Sequence, residues 1–318
     1  MLSGLPPLTL ALLLAAGVLL DLLLGEARRW HPLVGFGRLA QWLERRLNKG
    51  SRRIARGALA WMLAVLPLTA VAAWLCAADG AAGLLMHALM LYFCLGLRSL
   101  RDHTLPIHDA LTNGDLPRAR WLTSRIVSRD TTNAREADLA KAGAESLLEN
   151  GNDAVFGTLF CFLLGGGAGA LLFRLANTLD AMWGYRNARF NLFGRVAARI
   201  DDVLNYAPAR LTALSYALLS PGGRLRALRC WRVQAPTWSS PNAGPVMASG
   251  AGALGISLGG AAIYEGEVEQ RPVLGMGPAA AAGDIRRAWR LVFHTALSWM
   301  GLALAAGAMF YLAGVRHA

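Results

Sequence analysis

Four runs of this chain, residues 8–24, 57–77, 81–97 and 291–312, are strongly apolar and nearly uncharged. Each is long enough to cross a hydrocarbon layer of roughly 30 Å at about 1.5 Å per helical residue. Backbone in lipid must satisfy its own hydrogen bonds, so runs of this kind fold as helices. Composition agrees: 55% of the residues are hydrophobic and only 16% are charged, where soluble domains carry about a quarter charged. The 318 residues therefore read as an all-α, polytopic integral membrane protein with about four spanning helices.

Charge orients the chain. Lys and Arg outnumber Asp and Glu by 32 to 20, a net +12 suited to an anionic leaflet or anionic substrates. The segment after the first run carries Arg28, Arg29, Arg38, Arg45, Arg46, Lys49, Arg52, Arg53 and Arg56 against Glu26 and Glu44. That excess predicts a cytoplasmic segment and an external N-terminus. Within it Phe36, Leu39, Trp42, Leu43 and Leu47 recur at helical spacing, as in an amphipathic helix lying on the leaflet. The basic residues lie in loops and form no nucleic-acid motif, so no nucleic-acid partner is expected. Cys76, Cys94, Cys161 and Cys230 are scattered and read as small core hydrophobes rather than a disulfide framework or zinc site. The N-terminus has no basic region or cleavage site of a signal peptide, which predicts a retained first helix.

The second and third runs, joined at Asp79-Gly80, predict an antiparallel hairpin. His87 lies inside it, either as a functional group or as a hydrogen-bonding partner between helices.

Polarity concentrates in residues 128–205. Residues 98–153 read as soluble helices, and Asn133 with Glu136 resembles a capping box that opens a helix to about Asn150. Along it Lys141, Glu145 and Glu149 share one face. They form a solvated salt-bridge stripe or, with Asn150 and Asp153 at the helix end, a set of oxygen ligands. His103 and His108 have no one-face helical spacing for a metal. Residues 154–175 are apolar but interrupted by Gly165-Gly166-Gly167 and Gly169, leaving two arms of about eleven residues, each too short to cross. This predicts a re-entrant or buried helical hairpin that keeps the polar blocks on both flanks to one side. Beyond it Asn177, Asp180, Gly184 and Asn187 form one polar stripe, and Arg195, Arg199 and Asp202 another, with Asp201 and Asn205 alongside.

Residues 208–220 are too short to span, and a basic loop with Arg224, Arg226, Arg229 and Arg232 follows. Residues 240–245 predict a rigid turn, and the free backbone N–H groups from Ser240 to Gly244 suit a phosphate. Gly250-Ala251-Gly252-Ala253-Leu254-Gly255 matches G-x-G-x-x-G without a preceding strand, so Gly252, Gly255 and Gly259 read first as points of close helix approach. A polar stretch with Glu265, Glu267, Glu269 and Arg271 precedes the last span, whose His294 caps or packs. No internal repeat is visible. The whole chain is expected to form one membrane domain: N-terminal membrane helices and basic loop to residue 97, a cytoplasmic-side region at 98–290, and a C-terminal membrane helix at 291–318.

Several blocks taken together resemble the adenosylcobinamide-phosphate synthases of cobalamin biosynthesis, the CobD/CbiB family. They are Ser128-Arg129-Asp130-Thr131, Glu149-Asn150 with Asp153, Asn177-Thr178-Leu179-Asp180 with Gly184-Tyr185-Arg186-Asn187, Asp201-Asp202 to Pro208-Ala209-Arg210-Leu211, and Ser240-Pro241-Asn242 with Gly244. His31-Pro32 with Gly37-Arg38, and Tyr264, Gly266, Arg271-Pro272 and Leu274-Gly275, extend the likeness to nearly the whole chain in the same order. Two departures are Gly25-Glu26-Ala27, where the family usually has Gly-Asp-Pro, and Gly157-Thr158, where a proline is common.

The resemblance implies a multi-pass enzyme of the bacterial inner membrane with its active site toward the cytoplasm. It would use ATP and Mg²⁺ to join the propionate carboxylate of adenosylcobyric acid, a corrinoid, to the amine of aminopropanol or its phosphate. On that reading Glu149, Asp153, Asp180 and Asp201 or Asp202 are the hard oxygen ligands for Mg²⁺. Arg129, Arg186 and Arg199 clamp phosphates, and Asp130 or Glu145 takes the ammonium proton. Asn150, Asn177, Asn187 and Asn242 orient corrinoid carboxamides, with Tyr185, Ser240 and Gly244 in the same blocks. A homo-oligomer or a complex with other membrane cobalamin-assembly enzymes goes with that role. The rival reading is a transporter or a signalling protein of the related beta-lactamase-induction family, without ligase chemistry.

Overall fold

The computed structural model describes residues 3–26, 31–264 and 266–316. Arg28, Arg29, Ala27 and Glu265 lie outside the described residues. Among the described residues five helical stretches are long and apolar enough to cross a membrane: Pro7–Leu24, Arg53–Cys76, Gly80–Thr112, Glu136–Trp183 and Ala282–Val315. Four of them contain the four predicted runs, and the fifth contains the glycine-interrupted one. The chain divides into two compact units.

The first unit holds α1 (Pro7–Leu24), α2 (Pro32–Leu47), α3 (Arg53–Cys76), α4 (Gly80–Cys94), the helical hairpin within Gly157–Trp183, a further helix at Arg195–Leu204, and the chain from Met300 onward. The turn between α3 and α4 falls at Asp79, as the Asp79-Gly80 signal predicts. Helix α2 is capped by His31, whose Nδ1 accepts from the Leu33 N–H at 3.2 Å. It turns Phe36, Ala40 and Leu43 into a core with Trp61 and Val65 of α3, Leu179 and Trp183 of the hairpin, and Phe193. Trp42 points outward beneath the guanidinium of Arg46.

Residues 157–183 do fold as a helical hairpin. Gly166 leaves helical geometry at φ 62° and ψ −150°, a region open to glycine. Beyond it the chain doubles back: a Cβ on Gly157 would strike the Phe173 ring, and one on Gly169 would strike the Cys161 carbonyl. Residues sixteen apart in a straight helix would be about 24 Å apart. His87 of α4 holds the apex by accepting the Gly167 N–H at 2.9 Å, with its ring edge-on to Phe162. His87 is thus the hydrogen-bonding partner between helices, and a proline at Gly157 or Thr158 is not needed for the reversal.

The second unit comprises α5 (Leu97–Thr112), α6 (Leu116–Ser124), α7 (Glu136–Gly151), a π-helical turn (Asn152–Phe156), α8 (Tyr206–Leu218), α9 (Arg224–Gln234), α10 (Ala243–Leu254), a β-hairpin, and the start of the last helix, which begins at Ala282. Every residue of α10 is buried. A Cβ at Gly252 would meet the α9 backbone at Ala227 at 2.8 Å, and one at Gly250 would meet Leu148 of α7 at 2.7 Å. The G-x-G-x-x-G match is therefore a helix made thin for close packing, ended by Gly255 at φ 70°.

The all-α expectation needs one correction. β1 (Ser257–Tyr264) and β2 (Glu267–Gly275) pair antiparallel from Ser257↔Gly275 to Tyr264↔Glu267, with a bulge at Gly259/Gly260. Both bulge glycines have positive φ, 74° and 70°, which is what lets the strand kink there. The capping box also sits slightly later than expected: helix α7 starts after Arg135, whose N–H donates to Asp138 Oδ2 at 3.3 Å.

Candidate functional site

Two polar sites emerge, one in each unit. In the second unit, the single face of α7 predicted for Lys141, Glu145 and Glu149 exists but is not a solvated stripe. Glu145 is 2% exposed. Its carboxylate accepts from Arg129 Nη2 and, at 3.3 Å, from Arg271 Nη2. The kinked backbone of β1 adds the Gly259 N–H, 2.7 Å from Glu145 Oε1. Burial works against the Arg129 charge, and the adjoining Glu145 more than compensates, raising its pKa above the ordinary arginine value. Arg271 also lies over the Trp238 ring, 5.5 Å from its centroid. Lys141 pairs with Asp138 at 3.6 Å and donates to the Ala261 carbonyl of β1 at 3.3 Å. Two charged links therefore fasten the β-hairpin to α7. A carboxylate held by two guanidiniums and an amide ties the β-hairpin to α7, which gives Glu145 a positioning role.

Beside this network opens a cleft of about 290 Å³ between the loop before α7, the first turns of α7 and the hairpin. Arg129, Asp130, Arg135, Lys141, Ala261 and Val268 are among its walls. Asp130 is exposed and accepts the Thr132 N–H at 2.8 Å, a bond that holds its carboxyl below the usual range.

At the end of α7 the chain widens into the π turn, a feature frequent at functional sites. Asn152 Nδ2 donates to Asp153 Oδ1 at 3.0 Å, and Thr212 donates to Asn152 Oδ1 at 3.1 Å. Asn150 turns back on its own helix, donating to the Ser146 carbonyl at 3.0 Å.

The turn from Ser240 to Gly244, expected to suit a phosphate, has its N–H groups turned inward. Ser240 Oγ accepts both the Asn242 and the Ala243 N–H, capping α10, and Asn242 Oδ1 accepts Arg210 Nη1 at 2.7 Å. Gly244 packs within 3.0 Å of Trp238, measured from a Cβ built on it. Asn242 thus pins α10 to α8, and the N–H groups of Asn242, Ala243 and Gly244 are already used.

In the first unit, Asn177 and Asp180 from the hairpin's second arm meet Asp201 and Asp202 of the helix at Arg195–Leu204. Asp201, 7% exposed, accepts from Asn177 at 3.3 Å and from Asn205 at 3.1 Å. Burial pushes its pKa up to about 6 against the pull of those two amides. Burial also raises Asp202, with Arg199 and Arg186 opposing. Gly184 follows so closely that a Cβ there would strike the Asp180 carboxylate. Arg186, Arg199 and Tyr185 are exposed around this cluster. Asn187 accepts the Phe190 N–H at 3.0 Å and so shapes the loop.

The structure thus brings Arg129, Asp130, Glu145 and Glu149 together in one unit and Asn177, Asp180, Asp201, Asp202, Arg186 and Arg199 in the other. Glu149, Asp153 and the other three carboxylates expected to hold a metal are divided between the units. Among the described residues no three His, Cys, Asp or Glu side chains converge as a ready-made metal cage. His108 instead bonds the Ala282 carbonyl at 2.9 Å, and His103 the Ser99 carbonyl at 2.8 Å. Sequence reading missed the part played by Arg271, Lys141 and Gly259. Arg271-Pro272 carried a signal in the family likeness, whereas nothing local ties Gly259 to Glu145.

Buried carboxylates opposed by arginines, set among helices apolar enough for a bilayer, define a helical protein of integral-membrane type with a polar interior. Its residues 14–292 match the family model described as CobD/Cbib protein, and the chain belongs to that family. It is 56% identical over 295 residues to cobalamin biosynthesis protein CobD of Stutzerimonas stutzeri, covering 92% of this chain and 96% of the relative. The protein of the same name from Chromobacterium violaceum is 52% identical over 97% of this chain and 99% of its own length. That of Geobacter metallireducens is 40% identical over 81% and 84%. No solved structure matches.

Proposed function

We propose that this chain is a cobalamin-biosynthesis enzyme that makes an amide between adenosylcobyric acid and aminopropanol or its phosphate at the expense of ATP. The observation that carries this reading is the similarity, over 92% of the chain, to a protein named for cobalamin biosynthesis. The geometry supports it with two kinds of site. Exposed Arg186 and Arg199 beside Asp180 and Asp202 suit a polyphosphate, because guanidinium pairs bidentately with phosphate oxygens. Magnesium enzymes that bind nucleotides use one or two carboxylates and the substrate's own phosphates, a requirement that Asp180 and Asp202 meet in number. Asp180 and Asp202 are the ligands we assign; Asp201 is already engaged by Asn177 and Asn205. The ion would neutralise phosphate charge during transfer.

In the reaction the substrate carboxylate takes the γ-phosphoryl group of ATP and ADP leaves. The amine nitrogen, its ammonium proton lost to water, then attacks the acyl carbon, and inorganic phosphate departs. Arg186 and Arg199 hold the phosphates in line, and Asn177 orients a carboxamide. The chain sits in the bacterial inner membrane with its active site toward the cytoplasm, where ATP is found.

The test is detergent-purified protein given ATP, Mg²⁺, adenosylcobyric acid and aminopropanol phosphate. ADP and the amide should appear together in equal amounts, and Asp180→Asn should lower turnover by about a hundredfold or more, since even outer-shell changes cost ~10–100-fold in metal affinity. Substrate that is bound or moved without ADP and amide would favour a carrier and end the ligase reading.

A further inference from the structure

In the first unit an open groove of about 450 Å³ runs between the first turn of α3 and the helix Arg195–Leu204. That helix is packed on one face only. Ala197 and Asp201 are buried, whereas Val196, Ile200 and Val203 line the groove, and Val203 is 75% exposed. Ile54 of α3 completes the aliphatic wall. An apolar trough left unfilled in water favours an apolar occupant. Its place in the fold narrows the choice. Ile54 stands one residue inside the start of a spanning helix, and its i+4 row continues to the exposed Met62 and Leu66, which meet acyl chains in a bilayer. The groove therefore lies where headgroups give way to hydrocarbon. The charge there is positive. Among the described residues, the polar side chains of the wall are Arg195 and Arg199. The charge of Arg199 also acts on Asp202, whereas the exposed Arg195 guanidinium makes no hydrogen bond or ion pair. Arg45, Arg46, Lys49 and Arg52, leading into α3, are exposed too, and the one carboxylate among residues 31–56, Glu44, is buried and paired with Arg189. With no amide, hydroxyl or carboxylate in it, this wall has nothing to pair with the carboxamides of a corrinoid. A guanidinium at the end of an aliphatic trough fits a phosphodiester that carries an acyl chain.

We propose that this groove binds one anionic phospholipid, with an acyl chain along Ile54, Ile200 and Val203 and the phosphodiester on Arg195. The lipid fills the open face of the helix that carries Asp201 and Asp202, and so holds that helix against the start of α3. The site uses none of the ligase chemistry and stands or falls apart from it. Arg195 and Val203 are exposed, so substitutions there should leave the fold intact.

Delipidated full-length protein in neutral detergent, titrated with pyrene-labelled phosphatidylglycerol, tests this. Binding should saturate, and unlabelled phosphatidylglycerol should compete about tenfold or more better than phosphatidylcholine, whose choline cation meets the same arginines. Inorganic phosphate, which has no acyl chain, should not compete. Arg195→Gln and Val203→Asp should each weaken binding about tenfold or more without changing the melting temperature of the lipid-free protein. Arg46→Gln, on the same basic surface but outside the groove, should leave binding unchanged. Equal competition by the two lipids, displacement by inorganic phosphate, or wild-type affinity in both groove variants overturns the assignment, and the wild-type competition decides this even where a variant misfolds. An equal loss in Arg46→Gln overturns it too, because binding is then diffuse adsorption to a basic surface. Displacement by adenosylcobyric acid would give the groove to the substrate, and a Val203→Asp protein of altered assembly size with lipid affinity intact would give it to a second copy; either result ends the proposal.

Discussion

Glu145 shows how a single side chain changes meaning between sequence and structure. As one of three charged residues at successive i, i+4 positions it reads as surface decoration, worth a few tenths of a kcal/mol. Its true partners come from position 129, position 259 and position 271, and with side chains 3%, 11% and 11% exposed for Glu145, Arg129 and Arg271 the network is desolvated. Removing one member of a buried pair leaves uncompensated charge and costs about 3–5 kcal/mol. Glu145→Ala should therefore lower the thermal midpoint in detergent steeply, and Glu145→Gln, which keeps the Gly259 bond, should lower it less; a wild-type midpoint for the alanine variant would refute the clamp. Glu44 gives a pH-dependent counterpart. Its hydrogen bonds from Arg189 at 2.7 Å and from Asn48 at 2.8 Å hold its pKa below the ordinary value. A depressed carboxyl pKa stabilises the fold above the unfolded pKa, about 4.3, and that stability is lost as pH falls through the folded value. Wild-type protein should thus lose midpoint temperature between neutral and acid pH more steeply than Glu44→Gln, and parallel curves would exclude a contribution from this pair.

At the scale of elements, what was legible depended on how local the signal was. The spans, the turn at Asp79 and the reversal near Gly166 are written in composition and glycine placement, and the structure has them. Residues 257–275 were opaque because β1 opens with Ser257, Leu258 and two glycines, and β2 is largely exposed, so neither shows the apolar alternation that marks a half-buried strand. The closed turn at Ser240 was equally hidden: the free N–H groups that a sequence suggests are filled by a serine two and three residues earlier. The reversal is the element most open to test. Gly166→Ala would place a side chain at φ 62° and against the His87 ring. The backbone alone costs about 1–3 kcal/mol. Gly165→Ala next to it meets open space without a positive φ, and should be neutral or slightly stabilising. Equal midpoints for the two variants would remove the apex from Gly166.

For the molecule as a whole, the consequence of that reversal is topological. Length and hydropathy count Glu136–Trp183 as one crossing, and a straight helix there would carry the chain from one side of the membrane to the other. The contacts of Gly157 with Phe173 and of Gly169 with Cys161 say instead that the apolar part returns to the level at which it entered. The proposed ligase needs the chain on both sides of this segment to face the compartment that supplies ATP. Cysteines placed at Ser124, before the apolar part, and at Ala188, after it, are both exposed, while the native cysteines are buried or half-buried. In inverted and right-side-out vesicles, an impermeant maleimide should label the two positions from the same face, the cytoplasmic one. Labelling from opposite faces would make Glu136–Trp183 a true crossing and end the reading of its apolar part as a re-entrant hairpin.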